Sequence, residues 1–248
     1  MYHSFPTRFL TRLLGVISIA LTSTFTSATL PLDEARIANQ RLYMLQFNEA
    51  NDPSLNCLAI QIGNKTLVTP AHCLVSKSDA TLYPLRHLRL TPLFSQDERY
   101  TYAHVVSVTT DHHKLAQVTT EQDWAILEVN TDLGCHQQLH SLLVMPKQGW
   151  QSEPVQLAVW DRARDALSVE TCLLDSNENK QLTLSNCDEM SELIAGTPVI
   201  SLIGATNTLI GLVTSSSKHN DSTYYHVTPI EAALSRLEPS QLCTASAF

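Results

Sequence analysis

The chain has 248 residues, of which 44% are hydrophobic and 16% charged, a balance typical of a globular protein and not of a disordered one. Its net charge is −8, with 24 acids against 16 bases, so the basic surface that nucleic-acid binding requires is not expected. Glycine is scarce, with 7 residues.

Residues 1–28 have the pattern of an export signal. Arg8 and Arg12 precede an apolar run from Leu13 to Leu21, and small and hydroxyl residues follow as far as Ala28. A charged start, a short apolar core and small residues before the cleavage site are the features of a signal peptide. The run is too short to cross a bilayer, and no later stretch is long enough. We therefore expect a secreted or periplasmic protein without a membrane span; a buried helix is the alternative interpretation of residues 1–28.

Six cysteines remain beyond the signal segment, and an even number in an exported chain predicts three disulfides of open connectivity. No C-x-x-C spacing is present, so a zinc cluster is not predicted, and we expect neither a metal nor a cofactor. The cysteines are Cys57, Cys73, Cys135, Cys172, Cys187 and Cys243.

The first half of the chain alternates short segments rich in Val, Ile, Leu, Tyr and Thr with turn residues such as Gly63-Asn64. This alternation is typical of short strands. Six strands are predicted there, at residues 43–47, 57–62, 66–70, 86–90, 104–108 and 124–129.

Residues 130–151 are irregular and are interpreted as a connection between two domains. A second set of six strands follows. Because no helix alternates with the strands, the pattern indicates an all-β protein of two antiparallel barrels or sandwiches. The second set lies at residues 154–160, 167–174, 182–185, 197–203, 209–215 and 224–227.

A short helix is predicted at the carboxyl end, from about residue 229 to 237. Thr228, Pro229 and Glu231 fit a capping box with proline at the first helical position. One face then carries apolar residues at helical spacing, which predicts that it packs on the protein. These residues are Ile230, Ala233, Leu234 and Leu237.

Three segments together resemble the motifs of the chymotrypsin-like serine peptidases. The first, Leu67-Val68-Thr69-Pro70-Ala71-His72-Cys73, is similar to the family motif L-T-A-A-H-C. The second, Asp123-Trp124-Ala125-Ile126-Leu127, is similar to D-I-A-L-L. The third is Leu193-Ile194-Ala195-Gly196-Thr197-Pro198, where the family has G-x-S-G-x-P. Cys187-Asp188 before it resembles the bacterial glutamyl-endopeptidase branch.

The resemblance covers roughly residues 43–240 and implies two antiparallel Greek-key β-barrels. The first would span residues 43–130 and carry His72 and Asp123; the second would span residues 131–248 and carry the motif at residues 187–200. It further implies that His72 is the general base and that Asp123 orients it. For Asp123, a turn acid before a strand is the alternative.

Three departures from the family pattern bear on activity. Ala195 stands at the position of the nucleophilic serine, and Leu193 replaces a glycine whose N–H helps to form the oxyanion hole. Ile194 replaces the Asp that pairs with a newly cut amino terminus in trypsin-type members. The resemblance therefore implies a peptidase homologue that is inactive in this form.

The resemblance also implies the cleft residues and the disulfide pairs. Besides Leu193 and Gly196, Thr214 and Ser215 would line the cleft, since residues 211–216 resemble the family's cleft strand. Glu189 lies near the base of a specificity pocket, although a solvated loop acid is the simpler reading. The implied disulfides are Cys57–Cys73, Cys172–Cys187 and Cys135–Cys243.

Other interpretations stay open. Ser191 or Thr197 could supply a nucleophile, but neither oxygen is expected where the Ala195 side chain points. An engineered Ser→Ala change would explain Ala195 but not Leu193.

Four histidines, His112, His113, His136 and His140, could form a metal site; the alternative is that they are exposed loop histidines. We expect a polypeptide substrate or protein partner. An active serine endopeptidase, or a binder of a small molecule or metal, is the alternative.

Overall fold

The structure is a computed structural model, and it describes residues 42–47, 57–76, 81–93, 102–111, 122–135, 150–161, 166–179, 181–187, 193–201, 208–220 and 222–243. The segment interpreted as a signal peptide lies outside these residues. Within them, no helix is long and apolar enough to cross a membrane.

Six antiparallel strands of the first half close into a barrel, in the order β1-β2-β3-β6-β5-β4. The strand predicted at residues 86–90 begins later, because residues Leu85–His87 form a 3₁₀ turn after Pro84. The strands are β1 (Leu42–Phe47), β2 (Cys57–Gln61), β3 (Thr66–Thr69), β4 (Leu88–Pro92), β5 (Ala103–Thr109) and β6 (Ala125–Val129).

The strands of the second half close into another barrel, and the ring β10-β11-β12-β9-β8-β7 repeats the connectivity of the first. The all-β, two-barrel prediction is thus confirmed. These strands are β7 (Glu153–Asp161), β8 (Ala166–Ser176), β9 (Leu182–Ser185), β10 (Pro198–Ser201), β11 (Thr208–His219) and β12 (Ser222–Pro229).

Four apolar clusters form the core of the described residues. One fills the first barrel, one fills the second, and a large and a small cluster lie between the barrels and join them. In β10 all four residues are buried because Val199 faces the interior of its own barrel while Ile200 faces the larger cluster between the barrels. Trp124 is fully buried in that larger cluster. Packing between the barrels therefore holds in place the segment that begins at Asp123.

The carboxyl-terminal helix is shorter than predicted. The helix α1 is Glu231–Leu234 with Ile230 at its N-cap, so the predicted start at residue 229 and capping box at Thr228 are wrong. Thr228 and Pro229 instead pair with Leu212 and Gly211 in the ladder between β11 and β12. The predicted apolar face nevertheless packs against the cluster between the barrels.

The structure contains three disulfides, Cys57–Cys73, Cys135–Cys243 and Cys172–Cys187. Cys135–Cys243 joins residues 108 apart, and the Cys243 N–H donates to the Ile62 carbonyl at 2.8 Å. The disulfide therefore ties the end of the second barrel to the first.

We predict that replacing both Cys135 and Cys243 by Ala destabilises the protein more than replacing both Cys172 and Cys187. On a chain-entropy model the longer loop is worth about 4–5 kcal/mol and the shorter about 3 kcal/mol. Urea unfolding of the two double variants and the parent measures both values. Equal losses in the two variants would contradict this order.

Candidate functional site

His72 lies in a 3₁₀ turn, Ala71–Leu74, that follows β3. The Cys73 N–H donates to the Pro70 carbonyl at 3.2 Å, and Cys73 is bonded to Cys57 at the start of β2. The hydrogen bond and the disulfide fix the backbone of the turn, and both cysteines are buried. The His72 side chain remains 44% exposed.

Asp123 holds His72 through two contacts. Its Oδ1 accepts the His72 backbone N–H at 2.9 Å, and its Oδ2 lies 2.6 Å from Nδ1 of the imidazole. The Asp123 side chain is only 9% exposed. A carboxylate at Nδ1 favours the tautomer with the proton on that nitrogen, which leaves Nε2 as the lone-pair atom of the neutral ring. The pair thus has the arrangement of a general base with its orienting acid.

The loop at residues 193–198 is fixed against the first barrel by backbone contacts. The Ala195 carbonyl accepts the Leu58 N–H at 2.7 Å, and the Gly196 N–H donates to the Val213 carbonyl at 2.7 Å. Thr197 closes the turn, because its N–H and Oγ1 both donate to the Ile194 carbonyl, at 3.1 and 2.7 Å.

Gly196 is required by this close approach. Its φ is +91°, and a Cβ built there would lie 2.0 Å from the Leu58 carbonyl oxygen. Leu58 follows Cys57, whose disulfide partner Cys73 follows His72. The motif of the second barrel and the His-Asp pair of the first are therefore joined through two residues of β2.

Ala195 is partly buried and packs against the apolar interior of the first barrel. In the described part of the chain its N–H donates no hydrogen bond. The loop thus has a free backbone donor beside a methyl group where the resemblance implies a hydroxyl.

Leu193 has a packing contact instead of a strained backbone. It is partly buried against the interior of the second barrel. It is absent from the described residues with positive φ, so the conformation that favours glycine is not adopted here. Ile194 is buried with Met44 and Leu58 at the junction of the barrels.

The other predicted cleft residues lie on β11. Thr214 is buried and its Oγ1 donates to the His226 carbonyl at 3.3 Å, while Ser215 is exposed and pairs with His226 of β12. Residues 215–219 pair with β12 on one side. On the other side, no strand among the described residues pairs with them.

Two further contacts at the site had no signal in the sequence. Ser217 Oγ lies 3.1 Å from Nε2 of His226, and Arg236 pairs with Asp111, the last described residue before the segment that ends at Asp123. The four residues belong to no sequence motif, so the spacing of residues along the chain could not predict either contact. Glu189 and Ser191 lie outside the described residues, as do the four histidines considered as a metal site.

Metal-ligating side chains converge at one place in the described part of the chain. One potential ligand atom from each of Cys57, His72 and Cys73 lies within 4.8 Å of the others. Both sulfurs belong to the disulfide, so they are not thiolate ligands in this oxidised state.

Comparison with known proteins supports the fold. No family model matches the sequence, and no curated protein matches it. A solved structure described as a Glu endopeptidase in complex with MPD aligns with a TM-score of 0.59 at 10% identity, covering 82% of this chain and 93% of that chain. At this identity the likeness establishes the fold alone. The two barrels of this chain therefore have the chymotrypsin-like fold.

We predict that Gly196→Ala disrupts the loop far more than Gly134→Ala. Both glycines have positive φ, which costs about 1–2 kcal/mol for a residue with a Cβ. Only at Gly196 would the Cβ also collide with backbone, since nothing lies within 4 Å of it at Gly134. Urea unfolding of both variants tests this, and a loss at Gly196 no larger than at Gly134 would refute it.

Proposed function

We propose that this protein is an exported homologue of the chymotrypsin-like peptidases that lacks peptidase activity and binds polypeptide in the retained cleft. The observation that carries the proposal is the assembled His72–Asp123 pair beside a loop that holds Ala195. The base and its orienting acid are in contact, and the atom on which they would act is missing.

Acyl transfer through this loop requires a hydroxyl or thiol at the position of Ala195. Thr197 cannot replace it, because its side chain is fully buried and its Oγ1 is engaged with the Ile194 carbonyl. Without a nucleophile, His72 has no proton to remove in an acylation step.

The donors for a developing oxyanion are also altered. The Ala195 N–H makes no hydrogen bond to the described residues, so it could still point at a carbonyl oxygen. The second donor would come from residue 193, where Leu193 packs its side chain on the second barrel and takes no positive φ. Loss of one such donor lowers rates by about 10²–10³.

Polypeptide binding is supported by the edge of β11. Residues 215–219 are exposed, and their second side pairs with no described strand. An exposed strand edge can bind an extended peptide through backbone hydrogen bonds, which give affinity without any chemical step. The related fold belongs to an endopeptidase, a protein that acts on polypeptides.

Export is proposed from two observations that agree. Residues 1–28 have the pattern of a signal peptide. All six cysteines beyond them are paired in disulfides, which form and persist in oxidising compartments.

Variants that restore the serine hydroxyl at residue 195 and the glycine at residue 193 test the proposed lack of peptidase activity. We expect no peptide hydrolysis and no fluorophosphonate labelling by the parent, and labelling at residue 195 in the variant Ala195→Ser. Adding Leu193→Gly should raise the acylation rate by about 10²–10³, the contribution of one oxyanion donor. Mass spectrometry locates the label.

Hydrolysis of a mixed peptide library by the parent would overturn the proposal and support the alternative of an active serine endopeptidase. His72→Ala in the Ala195→Ser background is the control, because labelling that depends on the proposed base should be lost. Leu193→Gly alone should stay inactive.

A pair of variants at one position tests the binding edge. Ser216→Ala keeps the backbone N–H of β11, whereas Ser216→Pro removes it. If peptides add to this edge, peptides selected on the parent should bind the Ala variant normally and the Pro variant at least about tenfold more weakly, the effect of roughly one lost hydrogen bond.

Affinity is measured by calorimetry, and hydrogen exchange with the parent should show slower exchange at residues 215–219 when peptide is bound. Circular dichroism confirms that the Pro variant keeps its strands. Peptide protection elsewhere, with residues 215–219 unaffected, would place the binding surface outside this edge.

A further inference from the structure

We propose that Arg86, Arg89, Tyr102 and His104 form a cationic surface on the first barrel that binds an acidic segment of another polypeptide. The inference goes beyond the proposed function and does not depend on it, because this cationic surface shares no residue with the cleft or with the edge of β11.

The side chains of the cationic surface lie on the outer face of the first barrel. Arg89 of β4 and His104 of β5 are direct partners in the antiparallel ladder, so both side chains point to the same side of the sheet. Leu88 and Leu90 on either side of Arg89 fill the barrel interior, so Arg89 points outward. Tyr102 lies two positions before His104 and is 47% exposed.

The second barrel does not cover this face. Among the described residues, none of β4 or β5 belongs to the two apolar clusters between the barrels. The 3₁₀ turn Leu85–His87, which carries the exposed Arg86, lies against β5. The cationic surface is therefore accessible to a partner.

Arg89 is held in place by aromatic packing. Its Cζ lies 5.0 Å from the centroid of the Tyr102 ring, which is a cation–π contact. Tyr102 also contacts the His104 ring edge-on, with the centroids 5.0 Å apart. Nε of Arg89 is buried and has no hydrogen-bond partner in the described part of the chain. The guanidinium is thus positioned by stacking, and its Nη groups are left for a ligand.

No described carboxylate neutralises either arginine. Arg86 donates from Nε to Nε2 of His87 at 2.9 Å, and Arg89 contacts Tyr102, but neither belongs to an ion pair of the described residues. The chain nevertheless has 24 acids against 16 bases. Buried donors are normally paired, and a bound anion would provide Arg89 with acceptors.

A short acidic polypeptide segment fits this surface better than a long polyanion. A carboxylate accepts two parallel hydrogen bonds from a planar guanidinium. Because the chain has a net charge of −8, nucleic acid or an anionic membrane would also face its acidic surface, whereas a short segment stays within the Debye length of about 8 Å. Tyr102 and Val106, 47% and 53% exposed, add apolar area for the neighbouring side chains of a peptide.

The test titrates the full chain into a fluorescein-labelled peptide of consecutive glutamates and follows fluorescence anisotropy. We expect saturable binding in about 50 mM salt and at least about tenfold weaker binding in about 500 mM salt, since accessible charges are screened. The same peptide with glutamine at every position should not bind, because it keeps the length and loses the charge.

Variants separate a built surface from general attraction. Arg89→Gln should weaken binding by at least about tenfold, the size of one charge-assisted hydrogen bond. Arg89→Lys should still weaken it by at least about threefold, because the charge remains but the planar fork is lost. Tyr102→Leu should weaken it by about two- to fivefold, the size of an exposed cation–π contact.

Lys218→Gln is the matched control, since it removes one positive charge from the exposed edge of β11 in the second barrel. It should change the affinity by less than about twofold, because no carboxylate contact is lost. In spectra of the ¹⁵N-labelled parent, the Arg89 Nε–H and the amides of residues 89, 102 and 104 should shift on titration, and those of residues 215–219 should not.

Equal weakening by Lys218→Gln and Arg89→Gln, or binding that survives high salt, would overturn the inference. Tighter binding of a single-stranded oligonucleotide or of anionic vesicles than of the peptide would overturn the choice of partner. Circular dichroism checks that each variant keeps its strands. If Arg89→Gln does not fold, Arg86→Gln at the exposed position decides, and unchanged peptide affinity there would count against the proposal.

Discussion

The contact between Leu58 and the loop at Ala195-Gly196 is the constraint on which the site depends. Leu58 belongs to β2 of the first barrel, and it both donates its N–H to the Ala195 carbonyl and presents its own carbonyl to Gly196. Only glycine fits there, because a Cβ would meet that oxygen at 2.0 Å. The contact therefore fixes where residue 195 lies relative to the first barrel.

The backbone of the site and its chemistry are separable for this reason. The hydrogen bonds that form the loop come from main-chain groups and from Thr197, and none uses the side chain at residue 195. The His72–Asp123 pair is likewise held by its own hydrogen bonds and by the disulfide beside it. An alanine at residue 195 is therefore compatible with this architecture, and residues 215–219 have one edge that pairs with no described strand.

Much of the fold could be predicted because its signals are local. Short alternating segments predicted twelve strands, and the structure has a strand at each of those places. The predicted start of the helix was wrong. Thr228 and Pro229 fit a helix-capping pattern in the sequence, but in the structure they pair with β11 in the sheet. The packing of Leu193 and the contact of Ser217 with His226 could not be predicted from a sequence pattern, because each joins residues that become neighbours only in the folded barrel.

The sequence by itself determined the residue types: a histidine before a cysteine, an aspartate before an apolar strand, and an alanine where the resemblance implies a hydroxyl. It thereby determined that this loop contains no nucleophile at residue 195. Only the tertiary structure decided that Asp123 contacts the backbone N–H and the ring Nδ1 of His72, that the Leu58 N–H binds the Ala195 carbonyl, and that Nε2 lies near the Cys73 sulfur. Those facts depend on the closing of two barrels and on the packing between them, because the contacts join residues far apart in the chain.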